Sequence, residues 1–301
     1  MKKQTRILAG VLVLLALVLS ACAKEEAPVQ IRISSKNFTE QFLLGNMYEM
    51  LLDEAGFDAT YESLGGTSEN HDALLAGEID IYPEYTGTAL LTHLEGNYDP
   101  SMSADDVYST VAAQYAERWD LELLKSTGFN NTYCLTMTQA MADDLGVTTL
   151  SDLSVKAPDL VFGTTQEFPD RPDGLVGLQE TYGGFNFKEV VALDPGLLYS
   201  GIDEGEIDVT TCFGTDGQIS AFNLVVLEDD LGFWPPYPVA PVIRAEVLEA
   251  NPEIAGILNQ LAPFLDGVTM SGLNWEVAGN GREADEVARE FLTGNGLLGG
   301  E

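Results

Sequence analysis

The chain has few residues of the kinds that hold metals, act as nucleophiles or contact nucleic acids. Of its 301 residues only two are histidines, His71 and His93, and only three are cysteines. This composition excludes histidine-rich metal sites and most zinc arrangements. Positive charge is also scarce, since 14 Lys and Arg residues stand against 48 Asp and Glu residues, for a formal net charge of −34. Such a chain repels phosphate backbones, so we exclude nucleic-acid binding as its main function.

Long apolar runs are absent except at the N-terminus. There, three basic residues precede an uncharged run at 7–21, which is too short for a membrane span of about 20 residues and is typical of an export signal. The run ends in Leu-Ser-Ala-Cys, which resembles the lipobox of bacterial lipoproteins. We therefore interpret 1–21 as a signal peptide and 22–30 as a lipidated Cys22 followed by a tether. The alternative is an ordinary signal peptide with a chance cysteine.

Motifs of known enzyme classes are also absent. The chain contains no G-x-S-x-G, P-loop or H-E-x-x-H pattern, and it has no Cys-His pairing that would support nucleophilic catalysis. With 48 acidic residues, carboxylate pairs are expected by chance and do not by themselves indicate a hydrolase. We expect a protein that is not an enzyme and that needs no cofactor or metal.

Apolar spacing predicts strands that alternate with helices along the mature chain. Strands are predicted at 31–34, 59–62, 79–82, 133–138, 160–163, 189–193, 207–213, 224–227 and 239–243. Helices are predicted near 43–51, 68–76, 103–119, 174–182, 199–204, 246–250, 252–265 and 283–292. This alternation favours an α/β protein with parallel sheets.

An internal repeat indicates two similar lobes. The sequence Gly-Glu-Ile-Asp occurs at 77–80 and again at 205–208, each time between the end of a predicted helix and a buried strand. Two α/β lobes leave a cleft between them, where ligands bind at the carboxyl ends of the strands. Tyr85 and Phe213 each follow the repeated glycine by eight residues, so we expect them to face each other across the cleft. Spacing alone is equally consistent with two ordinary core aromatics.

Six segments resemble, in the same order, the substrate-binding proteins of ABC importers for glycine betaine, choline, carnitine and related osmoprotectants. They are SKNFTEQFLLGNMYEMLL (35–52), LGGTSENHDALLAGEIDIYPEYTGTAL (64–90), GFNNTYCLTM (128–137), EFPDRPDGLVGL (167–178), DVTTCFGTDGQI (208–219) and FWPPYPVAPVIR (233–244). The resemblance covers nearly all of the mature chain. It implies a two-lobed periplasmic-binding-protein fold of type II that closes on its ligand, with 31–131 plus 238–301 as lobe 1 and 132–237 as lobe 2.

The resemblance also implies an aromatic cage. A quaternary ammonium has no N–H group, so charge and the faces of aromatic rings must recognise it. By motif, the cage residues are Tyr85, Tyr133, Phe213 and Tyr237. The family more often has Tyr where Phe213 stands. Asn131 matches a position whose backbone carbonyl approaches the ligand's methyl groups, although a simple turn residue is equally consistent. We assign the neighbouring aromatics to packing, namely Tyr82 and Trp234.

The far end of a betaine is a carboxylate, which cationic and hydroxyl donors recognise. By motif, the family's carboxylate contacts correspond to Lys36, Thr88 and Arg171. Both cations fall in predicted loops between a strand and a helix, where a helix N-terminus also favours an anion. His71 is expected to lie behind this loop as a packing or surface residue.

Cys134 and Cys212 lie beside two cage positions on strands expected to be neighbours in one lobe. An exported protein can keep a disulfide, but cross-strand geometry is demanding, so the sequence favours two buried thiols and leaves the disulfide open.

Together these observations predict a lipid-anchored, monomeric extracytoplasmic receptor that delivers a quaternary-ammonium osmoprotectant to an ABC permease with a cytoplasmic ATPase. The sequence does not choose among glycine betaine, choline, proline betaine and carnitine. Two alternatives remain. One is a receptor for an amino acid or another small zwitterion, and the other is an extracytoplasmic hydrolase or signalling domain on the same fold.

Overall fold

The computed structural model describes residues 27–299. The predicted signal peptide, Cys22 and residues 23–26 of the tether therefore lie outside the described residues. No helix within 27–299 is both long and apolar enough to cross a membrane.

The strands form two five-stranded sheets. The first sheet has the order β2-β1-β3-β10-β4 and the second the order β7-β6-β8-β5-β9. The strands of the first sheet are β1 (Gln30–Lys36), β2 (Asp58–Gly65), β3 (Ile81–Tyr85), β4 (Leu121–Leu123) and β10 (Val239–Arg244). Those of the second are β5 (Tyr133–Thr138), β6 (Val161–Thr164), β7 (Glu189–Ala192), β8 (Val209–Phe213) and β9 (Leu224–Val226).

Both sheets are mixed, which corrects the prediction of parallel sheets. β1 runs parallel to β2 and β3, but β10 runs antiparallel to β3 and β4. In the second sheet β6 runs parallel to β7 and β8, whereas β5 runs antiparallel to β8 and β9. The two antiparallel strands, β5 and β10, each begin just after the chain has crossed from one sheet to the other. The crossing brings the chain into the neighbouring sheet from the cleft side, which reverses the strand direction.

The repeated Gly-Glu-Ile-Asp segments occupy equivalent places in the two sheets. Gly77 and Gly205 both have positive φ angles, 71° and 72°, which glycine adopts without a steric cost. Asp80 accepts a hydrogen bond from the backbone N–H of Arg32 at 2.9 Å, and Asp208 accepts one from that of Val161 at 2.8 Å. Each aspartate thus ties the turn before β3 or β8 to the neighbouring parallel strand. The internal repeat is therefore structural as well as sequential.

Helices cover the sheets. They are α1 (Thr39–Glu54), α2 (Thr67–Leu75), α3 (Ala104–Trp119), α4 (Gln139–Leu145), α5 (Leu150–Lys156), α6 (Leu175–Tyr182), α7 (Leu198–Asp203), α8 (Gln218–Ala221), α9 (Ala245–Ala250), α10 (Glu253–Asn259), α11 (Gly267–Ala278) and α12 (Ala284–Gly294). A short helical turn at Thr86–Thr88 continues as a π-helical turn at Ala89–His93. Most predicted helices are confirmed, while α4, α5, α8, α11 and the turns after β3 were not predicted.

The helix α1 forms the centre of the larger hydrophobic core. Its buried side chains, such as Leu43, Leu44 and Met47, pack in a cluster with β1 and with the C-terminal helices α11 and α12. Burial of an apolar side chain of this size stabilises the fold by roughly 1.5–3 kcal/mol. Because α1 starts only three residues after β1 ends, this packing also fixes the loop that enters the cleft.

Candidate ligand-binding site

A cavity of about 330 Å³ lies between the two sheets. Small-molecule sites typically measure roughly 300–1,000 Å³, so a compact metabolite fits. Strand ends from both sheets form its walls, because β1, β3 and β8 end there and β5 begins there. The structure brings together seven of the eight residues predicted for the site, namely Lys36, Tyr85, Thr88, Asn131, Tyr133, Phe213 and Tyr237.

Aromatic rings form one wall of the cavity. Tyr133 and Phe213 are directly opposite each other on the antiparallel strands β5 and β8, with ring centroids 5.1 Å apart. Tyr237 meets Tyr133 edge to face, with centroids 5.7 Å apart and an interplanar angle of 88°. The register of β5 and β8 thus places two rings side by side, and the segment before β10 adds a third ring at right angles.

Phe38 is an additional aromatic wall residue that the sequence analysis missed. Its ring stacks on Phe213 at 5.6 Å with an interplanar angle of 4°, and on Tyr85 at 6.1 Å with an angle of 23°. Phe38 therefore stacks on both Tyr85 and Phe213, the two residues that the repeat predicted to face each other. It lies in the motif SKNFTEQ, two residues after Lys36. The loop between a strand and a helix that supplied Lys36 could also have indicated Phe38.

The two segments that cross between the sheets are joined at the cavity. The N–H group of Asn131 donates to the carbonyl oxygen of Tyr237 at 3.2 Å, and the N–H group of Tyr237 donates to Oδ1 of Asn130 at 2.6 Å. Both Asn131 and Tyr237 line the cavity. Their positions therefore depend on the crossing segments, which connect the two halves of the molecule.

Lys36 is the cation that lines the cavity, and Glu84 holds it in place. Its Nζ donates to Oε1 of Glu84 at 2.5 Å and lies 5.2 Å from the ring centroid of Tyr85. Burial alone would raise the pKa of Glu84, but Lys36 and His93 outweigh burial and hold that pKa well below its usual range. Glu84 therefore stays ionised, and one ammonium proton of Lys36 is committed to it.

Tyr82 and the two histidines surround Glu84 on the side away from Lys36 or pack behind it. Tyr82 donates from its hydroxyl to Oε2 of Glu84 at 2.8 Å, and Nε2 of His93 lies 3.1 Å from the same oxygen. His71 stacks on His93 with ring centroids 3.9 Å apart. His71 and Tyr82 are buried, in agreement with the packing role predicted for each. Trp234 is also buried, with Nε1 donating to the carbonyl oxygen of Asp173.

Arg171 is the predicted site residue that does not line the cavity. Its Nε and Nη2 donate to the two carboxylate oxygens of Asp173, each at 2.7 Å, and its guanidinium carbon lies 5.5 Å from the ring centroid of Tyr133. Nη1 donates to Oγ1 of Thr67 at 3.3 Å. Asp173 thus occupies one edge of the guanidinium, and the contact of Arg171 with a ligand carboxylate stays a prediction.

Thr67 and its neighbour meet the opposite lobe at the cleft. The N–H of Thr67, at the start of α2, donates to Oε1 of Glu167 at 3.1 Å. A Cβ added to Gly66 would collide with the Glu167 carboxylate. The glycine thus permits close approach of the two sides of the cleft, where Glu167 and Arg171 on one side hold Thr67 on the other.

Acidic side chains outnumber basic ones around the cavity. Among the residues lining it are Glu69, Glu167 and Asp194, against Lys36 as the cation. This balance favours a ligand with positive charge, since the lining carboxylates attract a cation electrostatically.

Cys134 and Cys212 form a disulfide across β5 and β8. The two cysteines are directly opposite each other in the antiparallel register, with Cα atoms 4.9 Å apart, within the range that disulfides require. The favoured interpretation of two free thiols was therefore wrong. The bond joins the strands next to Tyr133 and Phe213, so it braces the aromatic wall.

The family model described as the substrate-binding domain of the ABC-type glycine betaine transport system matches residues 29–294. The chain belongs to this family. A glycine-betaine-binding protein of Pseudomonas aeruginosa is 34% identical over 89% of this chain and 88% of its own length. An ergothioneine transport permease/ergothioneine binding protein of Helicobacter pylori, EgtU, is 32% identical over 98% of this chain. This chain spans 54% of the length of that relative.

Solved structures of family members share the fold. A glycine betaine/carnitine/choline ABC transporter structure superposes with a TM-score of 0.70 at 30% identity, covering 89% of this chain and 99% of the other. The predicted α/β, two-lobed periplasmic-binding-protein fold is confirmed. As a family member, the chain is a substrate-binding protein of ABC-type transport.

Proposed function

We propose that this protein is an extracytoplasmic receptor that binds a quaternary-ammonium osmoprotectant in the cavity between the sheets and delivers it to an ABC permease. The observation that carries this proposal is the wall of five aromatic rings, from Phe38, Tyr85, Tyr133, Phe213 and Tyr237, beside a cavity rich in carboxylates. Each ring that faces a quaternary ammonium attracts it by roughly 0.5–2 kcal/mol. The names of family relatives that bind glycine betaine and carnitine support the same ligand class.

A ligand that combines a trimethylammonium group with a carboxylate matches the two kinds of lining residue. The aromatic rings receive the cationic head, and Lys36 and Thr88 are two of the lining donors that can bind the carboxylate. Because one proton of Lys36 already serves Glu84, we propose that Lys36 makes a single contact with the carboxylate. Ligands of the glycine betaine type are therefore the first candidates.

The lobes are proposed to comprise 31–131 with 238–301, and 132–237. The division of the strands between the two sheets supports these boundaries. Contacts from both lobes surround the cavity, so we expect the bound ligand to stabilise the closed form. The bonds of Glu167 and Arg171 to Thr67 then act as closing contacts.

The Leu-Ser-Ala-Cys sequence ending at Cys22 supports a lipid anchor that keeps the receptor, as a monomer, beside its permease. Replacement Cys22→Ser is expected to move the protein from the membrane fraction to the soluble exported fraction with unchanged ligand affinity. A variant that stays bound to membranes through carbonate washing would reject the anchor.

Calorimetric titration tests the ligand class. The panel contains glycine betaine, choline, carnitine and ergothioneine, with glycine and proline as amines that lack the trimethylammonium group. We expect binding of at least one trimethylammonium compound and none of the two amines. Tyr133→Leu should weaken that binding, while the matched change Tyr98→Leu, outside the cavity, should not. Tight binding of glycine or proline alone would support the alternative amino-acid receptor.

Small-angle scattering tests the closure. We expect the radius of gyration to decrease as the best ligand of the panel is added. An unchanged radius across a saturating titration would indicate a preformed pocket and would reject the closing mechanism.

A further inference from the structure

Glu40, the second residue of α1, is a buried carboxylate without a cationic partner. Its relative exposure is 1%. Within residues 27–299 it forms no ion pair with Lys, Arg or His, in contrast to the buried Glu84 and Asp173. A buried charge that is not paired is unfavourable unless something compensates it.

Four neutral groups donate hydrogen bonds to Glu40. Oε1 accepts from the hydroxyl of Tyr85 at 2.7 Å and from Nδ2 of Asn131 at 2.9 Å. Oε2 accepts from the hydroxyl of Thr215 at 2.5 Å and from Nδ2 of Asn274 at 3.2 Å. Burial raises the pKa of Glu40, and these four hydrogen bonds oppose that rise. The donors orient the carboxylate and stabilise its ionised form, but they leave its net charge in place.

Two of these donors line the ligand cavity, so the carboxylate lies one side chain behind its surface. Tyr85 and Asn131 are lining residues, whereas Glu40 is not. A tyrosine hydroxyl that donates to a carboxylate makes its own ring more electron-rich, which strengthens the attraction of that ring for a cation. Asn131 directs its amide NH₂ at Glu40, and its buried Oδ1 has no hydrogen-bond partner among residues 27–299. The amide dipole of Asn131 thus points its positive end at Glu40 and its negative end away from it.

We propose that Glu40 is the counter-charge of the cage, a positioning residue that acts on the cationic head of the ligand through Tyr85 and Asn131. This inference rests on the proposed function and deepens it. The carboxylate supplies an electric field but no exposed acceptor atom, because its four donors surround it. A primary ammonium would lose hydrogen bonds to water without regaining them from Glu40. A methylated ammonium has no such bonds to lose, so the arrangement selects for quaternary nitrogen.

Replacement Glu40→Gln tests the proposal because it removes the charge and keeps the shape. The glutamine Oε1 can still accept from Tyr85 and Asn131, and its Nε2 can donate to the unpartnered Oδ1 of Asn274 after that amide rotates. The affinities of wild type and variant are measured for choline and for 3,3-dimethyl-1-butanol, its uncharged carbon analogue. Glu180→Gln, an exposed change of the same net charge, is the matched control.

We expect Glu40→Gln to weaken choline binding by about tenfold or more, since a buried charge acts at low effective dielectric. Binding of the uncharged alcohol should change by less than about threefold, and Glu180→Gln should change neither affinity. The unfolding temperature of the ligand-free variant should equal or exceed that of wild type, because an uncompensated charge has been removed.

Equal weakening of choline and the alcohol would overturn the proposal, because it would assign Glu40 a structural role. Where the alcohol binds wild type too weakly to measure, the ligand-free unfolding temperature decides, and a fall in that temperature alongside the loss of choline binding would overturn the proposal. Failure of wild type to bind any quaternary ammonium would instead reject the proposed function. The two failures are therefore distinguishable.

Discussion

Arg171 donates from Nη1 to Oγ1 of Thr67 at 3.3 Å, across the cleft that separates the two sheets. The other side of its guanidinium is held by both carboxylate oxygens of Asp173. This pairing fixes Arg171 in one orientation before any ligand arrives. The residue is thereby suited to join the two sides of the cleft, and its guanidinium carbon lies 5.5 Å from the ring centroid of Tyr133.

Removal of the Thr67 hydroxyl should therefore affect all ligands alike. We expect Thr67→Val to weaken glycine betaine and choline by a similar factor of roughly 2- to 10-fold, the range for loss of one hydrogen bond. Calorimetry with both ligands measures the two factors, and Thr60→Val, on an exposed position of β2, serves as the control. If Thr67→Val weakens only the binding of glycine betaine, then Arg171 and Thr67 contact the ligand carboxylate.

Phe38 should contribute to binding as much as a motif-predicted ring does. We expect Phe38→Leu, which keeps apolar volume but removes the π face, to weaken quaternary-ammonium ligands by about 2- to 30-fold. Phe264→Leu, on a partly exposed ring outside the cavity, is the matched change and should leave affinity unaltered. Unchanged affinity in a folded Phe38→Leu variant would show that this ring only packs against Phe213.

The disulfide should stabilise the fold more than it affects binding. Cys134 and Cys212 are separated by 78 residues, and closing a loop of that length lowers the entropy of the unfolded chain by an amount equivalent to about 4–5 kcal/mol. The double change Cys134→Ala and Cys212→Ala should lower the free energy of unfolding by up to about that amount, as measured by urea denaturation. Reductant should destabilise wild type and leave the double variant unchanged. Equal responses of both proteins would argue against a bond in solution.

Asp216 should make stability depend on pH in an unusual direction. Burial raises the pKa of Asp216 to about 7, although Tyr199 and the N–H of Phe213 donate to it. An unfolded aspartate has a pKa of about 3.9, so between about pH 4 and pH 7 the folded state binds more protons than the unfolded state. The contribution of Asp216 to the free energy of unfolding therefore decreases as pH rises through that window.

Replacement Asp216→Asn isolates this contribution. The free energy of unfolding of wild type minus that of the variant should fall from pH 4 to pH 7 and stay level above about pH 8. Denaturation curves at matched salt across this range measure the difference. A difference that does not vary with pH would show that the carboxyl titrates normally in the folded protein.

The sequence by itself determined the secondary structure of the repeated units and seven of the residues that line the cavity. The Gly-Glu-Ile-Asp repeat depends on local geometry, because only glycine adopts the turn freely and the following aspartate caps the adjacent strand. Strand β5 was predicted at its observed bounds, from Tyr133 to Thr138, since its apolar residues are bounded by polar turns. The helix α5 could also have been predicted, because Thr149 and Asp152 form a capping box.

Only the tertiary structure decided the features that depend on distant parts of the chain. The helix α11 contains two glycines and little helical periodicity, and it forms because it packs on α1. The antiparallel direction of β5 and β10 follows from where the chain crosses between sheets. Long-range contacts also brought Thr67 to Arg171, paired the two cysteines of β5 and β8 and enclosed Glu40. Spacing along a sequence specifies which face a side chain occupies, whereas its charge partners are set by segments that only folding brings within a few ångströms.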